Sequence, residues 1–271
     1  MLKQRILTAS IMAPVALWGL FGLSDSYFIL FVSAIVLVGS WEWANLSGTS
    51  SAGRLLYPAG VGVLLLGLNE VRNGELDLVI LSVAALGWVL ALFFVQQYPE
   101  KKPWASTLAR LLMGLAVLLP CWVAFIELRT SNWLGKEALL YILLLVWCAD
   151  IGAYFSGKNF GKNKLAPNVS PGKTREGVYG GLLATGILAV VAGSYWQLSV
   201  GQIAVLVVVT LIVTAVSVLG DLLESMVKRF RGIKDSSHLL PGHGGIMDRI
   251  DSLTAAAPIF VLSLKLTGLS L

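Results

Sequence analysis

Residues 203–235 read IAVLVVVTLIVTAVSVLGDLLESMVKRFRGIKD, an apolar run that passes directly into a cluster of charges. The run from Ile203 to Leu219 is almost wholly apolar and is long enough to form a transmembrane helix. Charged side chains beside hydrocarbon are unfavourable in free energy, and they occur there mainly where they bind or react with something. This stretch therefore predicts a membrane fold and also the place where its chemistry lies.

The composition of the whole chain agrees with this prediction. Of its 271 residues 56% are hydrophobic and only 13% are charged, with a mean hydropathy of +0.80, which excludes an ordinary soluble domain. Because no long polar linker interrupts it, we expect one integral-membrane domain over 1–271, with scaffold spans in 1–126 and the catalytic helices and loops in 137–271. Basic loops beside anionic membrane lipids explain the net charge of +5, so no nucleic-acid partner is expected.

Hydropathy windows of about 19 residues predict an all-α polytopic protein with about nine transmembrane helices. The predicted spans are 6–23, 27–46, 55–69, 76–95, 106–126, 137–155, 177–196, 201–220 and 252–270. The third span is short and contains three glycines, which makes it the weakest of the nine.

The distribution of lysine and arginine predicts the orientation. With the N-terminus in the cytoplasm and the C-terminus outside, all but four of the 20 basic residues lie on the cytoplasmic side. The four exceptions are Arg72, Arg129, Lys136 and Lys265. This orientation puts the polar segments 156–176 and 221–251 on the same face, where they can build one site.

Polar residues form a stripe at the end of span eight. Five of them fall within an arc of about 100° on a helix: Ser217, Asp221, Glu224, Ser225 and Lys228. A solvated helix end would explain Lys228 taken alone. Asp221 and Glu224 have no basic residue before them, and buried carboxylates without a cation partner are protonated or bind a metal.

A second pair of carboxylates, Asp248 and Asp251, lies on the first turn of span nine, after a Pro-Gly-His-Gly-Gly turn at 241–245. Exposed backbone amides in such a turn can approach an anion. One of the two carboxylates is explained by the helix dipole alone. Carboxylates brought together from two helices among lysines and arginines, however, suit Mg²⁺ carrying a polyphosphate.

The other polar segment contains Ser-Pro-Gly-Lys-Thr-Arg-Glu-Gly at 170–177. A P-loop is not predicted, because Pro167 occupies a required glycine position and no strand is expected before the loop. Lys173 and Arg175 remain candidates for nucleotide phosphate on charge grounds, whereas the topology bias alone explains Lys162. Asp150 needs a partner, since it lies near the end of an apolar span.

Three further polar residues receive weaker interpretations. Glu42 lies between Trp41 and Trp43, and because Trp marks membrane boundaries we interpret it as interfacial and structural. The spacing of His238 and His243 does not fit a metalloprotease helix. His243 is expected to donate a hydrogen bond to phosphate, and His238 to be only a loop residue.

Taken together, these residues resemble a known signature. Ser225-x-x-Lys228-Arg229-x₄-Lys234-Asp235, followed by His243-Gly-Gly and Asp248-Arg249-x-Asp251, resembles the signature of the phosphatidate cytidylyltransferases (CDP-diacylglycerol synthases). The block at 170–177 and the upstream Asp150 match as well, and so do the chain length and the number of spans.

The resemblance implies that CTP and phosphatidic acid give CDP-diacylglycerol and pyrophosphate for phospholipid biosynthesis. It also implies a homodimer in the bacterial inner membrane, with the site facing the cytoplasm, and one or two cations including Mg²⁺. Asp221 and Asp248 are the implied metal ligands, with Glu224 as a further candidate. The implied catalytic residues are Asp221, Lys234, Asp235, His243, Asp248 and Asp251; the implied substrate-binding residues are Asp150, Ser170, Lys173, Arg175, Ser225, Lys228, Arg229 and Arg249.

Two other functions remain open from the residues alone. A secondary transporter of an anionic solute is one, although nine spans do not halve evenly and no internal repeat is visible. A CTP-dependent polyprenol kinase is the other, since it also joins CTP to a lipid at the membrane.

Overall fold

The structure, a computed structural model, describes the backbone of residues 2–130 and 135–269, and the side chains of the same residues other than 2–7, 9 and 13. Within these ranges the chain forms nine α-helices and two short strands. In chain order they are α1 (Leu2–Phe21), α2 (Asp25–Leu46), α3 (Ser51–Val71), α4 (Gly74–Gln97), α5 (Thr107–Thr130), α6 (Gly135–Phe160), β1 (Lys164–Ala166), β2 (Ser170–Thr174), α7 (Arg175–Tyr195), α8 (Val200–Phe230) and α9 (Met247–Thr267).

Helices α2 to α9 are each long and apolar enough to cross a membrane, and α1 has a shorter apolar stretch, Ser10–Phe21. The predicted all-α membrane fold is therefore confirmed, and the weak third span is a full helix. Residue 270, the last of the predicted ninth span, lies outside the described residues, as do the side chains of Lys3 and Arg5.

Helices α8 and α9 extend beyond the predicted spans. Helix α8 continues to Phe230 and α9 begins at Met247, although hydropathy placed these boundaries at 220 and 252. A hydropathy window stops at the first charges, whereas the backbone hydrogen bonds of a helix continue through them. Asp221, Glu224 and Lys228 are therefore helical, and the connection is only the 231–246 loop. We call the end of the bundle that carries it the loop end, and the opposite end the far end.

Helix α9 lies at the centre of the bundle and packs against α2, α4, α5, α6 and α8. Its small residues Ala255, Ala256 and Ala257 are fully buried, and small side chains let membrane helices approach closely. At Gly220 of α8 an added Cβ would lie 2.6 Å from the backbone oxygen of Asp251. This close approach brings the carboxylates of the two helices to one place.

Most basic residues predicted outside are paired at the far end of the bundle. Arg72 forms ion pairs with Asp77 and Glu127, and Lys265 pairs with Glu127 at 2.7 Å. Arg129 pairs with Asp25 at 2.7 Å, and the ammonium group of Lys136 donates to the carbonyl of Phe21.

A β-hairpin between α6 and α7 was not predicted. Strands β1 and β2 are antiparallel, with Lys164 opposite Thr174 and Ala166 opposite Ser170. The expectation that no strand precedes 170–177 is therefore wrong, because so short and polar a hairpin lacks an alternating apolar pattern. The segment is still not a P-loop, because Lys173 lies within β2 and Thr174 caps α7 by accepting from the backbone N–H of Gly177.

Candidate active site

The hairpin and the end of α8 meet at the loop end through an ion pair. The ammonium group of Lys173 lies 2.7 Å from Oδ2 of Asp221, and the hydroxyl of Ser225 donates to Oδ1 of the same carboxylate at 3.0 Å. Arg229 donates to the carbonyl of Val169 in the turn of the hairpin. The polar segments 156–176 and 221–251 thus come together, as the sequence predicted.

Lys228 joins α8 to α9. Its ammonium group lies 2.7 Å from Glu224 and 2.6 Å from Asp248, and the residue is only 6% exposed. The interpretation of Lys228 as a solvated helix end is wrong. Asp221 and Glu224 do have cation partners, which come from β2 and from the next turn of α8.

Asp248 is held on both of its oxygens. While Oδ1 accepts from Lys228, Oδ2 accepts from the backbone N–H of Ser236 at 2.9 Å, from the hydroxyl of Ser236 at 2.8 Å and from the backbone N–H of Gly245 at 2.8 Å. Gly244 has φ +81°, and a Cβ there would lie 2.5 Å from Oδ2. The turn at 241–245 therefore needs glycine in order to close over this carboxylate.

Two other carboxylates complete the cluster. Asp251 accepts from the backbone N–H of Ser252 at 2.7 Å and lies within electrostatic range of Asp221, Lys173 and Lys228. Asp150, within α6, lies within electrostatic range of Lys173, Asp221 and Arg249. No ion pair or hydrogen bond to the Asp150 side chain is present among the described residues, so the basic residues act on it only at longer range.

The donor set of this cluster fits a hard divalent cation. Mg²⁺ takes oxygen ligands, often one or two carboxylates together with substrate phosphates. Oε1 of Glu224 is buried and has no hydrogen-bond partner among the described atoms. Among the described residues, no three side chains of His, Cys, Asp or Glu are positioned together to bind a metal ion. Instead, Lys173 and Lys228 provide the positive charge beside Asp221, Glu224 and Asp248.

A polar cavity of about 550 Å³ opens beside the carboxylates. Its lining includes Lys234, Asp235, His238, Leu240, Pro241, Gly242, His243, Gly244 and Arg249. Nδ1 of His243 is buried and has no hydrogen-bond partner among the described residues. His238 lines the same cavity and lies in the 231–246 loop.

Three predicted residues lie at the edge of the site. Ser170 lies in the hairpin opposite Ala166, and Arg175 is exposed while its backbone N–H donates to Asn163. Arg229 is exposed and donates to Val169 and Ile233. None of these contacts reaches the carboxylates.

Glu42 of α2 is a residue whose place the sequence interpretation missed. It is fully buried rather than interfacial, and its oxygens accept from the hydroxyl of Ser237 and from the backbone N–H groups of Ile246 and Met247. The hydroxyl of Ser236 lies 3.2 Å from Oε2 of Glu42. A carboxylate inside an apolar helix needs such partners. That signal was present in the sequence, but the flanking tryptophans favoured an interfacial position instead.

Comparisons with known proteins bear on the family of this chain. The profile of the cytidylyltransferase family matches residues 3–267. The chain is 48% identical to the phosphatidate cytidylyltransferase of Pseudomonas aeruginosa, over 99% of this chain and 98% of that protein. It is 41% identical to the phosphatidate cytidylyltransferase of Haemophilus influenzae, over 96% and 97% of the two chains. It is 32% identical to the phosphatidate cytidylyltransferase of Staphylococcus saprophyticus, over 95% of this chain and 97% of that protein.

Proposed function

This chain belongs to the cytidylyltransferase family, and from that premise we propose how its loop end carries out the reaction. The protein is an enzyme that transfers the cytidylyl group of CTP to phosphatidic acid and releases CDP-diacylglycerol and pyrophosphate. The observation that carries this function is the 48% identity to a phosphatidate cytidylyltransferase over nearly the full length of both chains.

The reaction brings two anions together. A phosphate monoester carries about two negative charges near neutral pH, so the lipid phosphate needs no general base before it attacks the α-phosphorus of CTP. A new oxygen–phosphorus bond forms, and the bond between the α-phosphorus and the bridging oxygen of pyrophosphate breaks. The protein contributes mainly by positioning the two substrates and by neutralising their charge.

The basic residues of the cavity suit the triphosphate. Lys234, Arg249 and His243 line one polar cavity beside Asp248, and we assign them to phosphate oxygens of CTP and of the departing pyrophosphate. Lys173, on β2, is not one of the residues that line this cavity, and it pairs with Asp221. A substrate phosphate can replace Asp221 as the partner of its ammonium group. The family resemblance supports these roles, and the positions of the residues make them chemically reasonable.

The carboxylate cluster would hold Mg²⁺. Asp221, Asp248 and Glu224 are its proposed ligands, with Asp251 beside them. When bound, such an ion neutralises triphosphate oxygens and supports the departure of pyrophosphate. Lys228 meanwhile keeps Glu224 and Asp248 at a fixed separation, because it contacts both of them.

We further propose that the protein is a homodimer in the bacterial inner membrane and that its active site faces the cytoplasm. The spans support a multi-pass membrane protein, and the relatives are bacterial. The cytoplasmic orientation rests on the lysine and arginine distribution, and the homodimer on the family resemblance.

Labelled CTP tests the function directly. The purified protein is incubated with phosphatidic acid and with CTP labelled at either the α- or the γ-phosphate. We expect label in lipid from the α-phosphate only, with one pyrophosphate released for each lipid labelled. Label from the γ-phosphate would indicate a lipid kinase instead. An absence of label from both, combined with uptake of an anionic solute by proteoliposomes, would indicate a transporter.

A further inference from the structure

We propose that Glu42 is a positioning residue for the transfer reaction. Glu42 lies in α2, at the loop end of the bundle. Its contacts hold both ends of the 236–247 segment, and they thereby set the position of Asp248. The residue lies in the half of the chain that the sequence assigns to the scaffold. The inference goes beyond the proposed function and rests on it only for the activity measurement.

The first observation is how α9 begins. The first backbone N–H groups of a helix have no intrahelical partners. In α3, α4, α7 and α8, the side chain of the N-cap residue, which is serine, asparagine or threonine, accepts from one or two of these groups. Helix α9 has Ile246 at this position and no such hydrogen bond. Glu42, which belongs to α2, caps α9 instead. Its carboxylate accepts from the backbone N–H groups of Ile246 at 3.0 Å and Met247 at 2.7 Å.

The second observation is that Glu42 also holds the opposite end of the same segment. Its Oε1 accepts from the hydroxyl of Ser237 at 2.6 Å, and Oε2 lies 3.2 Å from the hydroxyl of Ser236. A single carboxylate therefore ties residues 236–237 to residues 246–247. Backbone packs closely over it, because a Cβ added at Gly245 would collide with both Glu42 and Ser236.

The third observation connects Glu42 to the site. The hydroxyl of Ser236 lies 2.8 Å from Oδ2 of Asp248 and 3.2 Å from Oε2 of Glu42, and Ser236 is fully buried. A hydroxyl carries one proton, so it donates to one carboxylate at a time. Any movement of Glu42 therefore changes both the hydrogen bonding of Asp248 and the start of the helix that carries it.

The substitution Glu42→Gln tests the proposal at nearly constant volume. The amide places a donor against a backbone N–H or a serine hydroxyl, where the carboxylate accepted. We expect amides in 236–248 to exchange faster with deuterium in the folded protein. We also expect kcat to fall on the order of 10- to 100-fold, as for a displaced catalytic group, while KM for CTP changes much less.

The matched control is Glu127→Gln, which alters a carboxylate at the far end that pairs with Arg72 and Lys265. Its side chain is 12% exposed, so its loss also tests the cost of removing a largely buried charge. Glu127→Gln should lower thermal stability while leaving kcat and the exchange of residues 236–248 at their wild-type values. If Glu42→Gln does not yield folded protein, Ser237→Ala provides the second test, because it removes a hydroxyl that donates to Glu42 at 2.6 Å and has no described contact with Asp248.

Unchanged exchange over 236–248 in Glu42→Gln, or in Ser237→Ala where Glu42→Gln does not fold, would overturn the proposal. So would faster exchange accompanied by wild-type kcat, because the contacts would then be structural only. If the wild-type protein transfers no cytidylyl label, the proposed function fails separately, and the exchange measurement alone decides whether Glu42 holds the segment.

Discussion

At Asp221 and Asp248, ionised oxygens and ammonium groups are packed at hydrogen-bond distance in a partly dehydrated setting. Removing one member of such a pair leaves the other charge buried and uncompensated, which commonly costs about 3–5 kcal/mol. The two aspartates differ in this respect. The Asp221 side chain is 29% exposed, whereas that of Asp248 is 6% exposed, so Asp221 permits the cleaner test of catalysis.

Asp221→Asn should abolish turnover and leave the protein folded. Its carboxylate is a proposed cation ligand, and we expect activity below about one hundredth of wild type, comparable to losing one oxyanion donor. Asp248→Asn should be at least as inactive and also less stable, because an amide nitrogen would face either Lys228 or three donors. Label transfer and thermal unfolding in one detergent measure both effects. Wild-type activity of a variant at ordinary Mg²⁺ would exclude that residue as a ligand.

Two exposed lysines distinguish a direct role in catalysis from a contribution to the general positive charge of the loops. Lys234 lines the polar cavity, whereas Lys162 lies between α6 and β1, where only its backbone N–H has a described contact, with Glu176. Lys234→Ala should raise the barrier by about 2–4 kcal/mol, as for loss of a donor to the transition state. Lys162→Ala should cost about 1 kcal/mol or less, with sensitivity to salt and anionic lipid. The two are compared by varying CTP and phosphatidic acid separately; equal, small losses would remove Lys234 from the site.

Among the helices, the crossing of α8 and α9 controls how the carboxylates meet. Gly220→Ala should weaken both stability and activity, because its Cβ would press on the backbone oxygen of Asp251 and overpacking costs about 1–3 kcal/mol. Gly201→Ala, in the same helix, is the control, since nothing lies within 4 Å of its Cβ. The control should be neutral or slightly stabilising, by about 0.5–1 kcal/mol. Thermal unfolding and kcat are measured together, and equal behaviour of the two variants would mean that the crossing tolerates a methyl group.

The elements differ in how far the sequence could predict them. The spans were predictable because a run of apolar residues such as Ile203 to Leu219 admits few structures other than a membrane helix. The polar stripe on α8 was predictable because helical spacing alone fixes which side chains share a face. The hairpin at 164–174 was not, because so short and polar a hairpin lacks an alternating apolar pattern. The contacts of Glu42 were not, because they depend on residues far apart in the chain. No local pattern links Glu42 to Met247.

For the whole molecule, the described charges differ between the two ends of the bundle. Near the start of α1, the hydroxyl of Thr8 donates to the carbonyl of Pro241, so this end of α1 lies beside the 231–246 loop. At the far end, Arg72, Arg129 and Lys265 each contact a carboxylate. At the loop end, Lys234 and Arg249 line the polar cavity and form no ion pair among the described residues. Positive charge without a carboxylate partner therefore lies at the loop end, which the basic-residue rule places in the cytoplasm.

Thiol labelling tests this orientation. Cysteines at the exposed positions Asn168 and Leu239, in a chain with Cys121 and Cys148 replaced, should react with an impermeant reagent only from the cytoplasmic side. A cysteine at the exposed Glu75, at the far end, should react only from outside. Intact cells and inverted membrane vesicles provide the two conditions. Labelling of Asn168→Cys or Leu239→Cys in intact cells would reverse the proposed orientation.

The central position of α9 also has a consequence for biosynthesis. It is the last of the nine described helices to leave the ribosome, yet it is fastened to helices made much earlier. At its beginning Ile246 and Met247 donate to Glu42, and near its end Lys265 pairs with Glu127. Until α9 is translated, Glu42 lacks the backbone donor of Met247 and Glu127 lacks the ammonium group of Lys265. Chains truncated before α9 should therefore stay incompletely assembled and be open to quality-control proteases.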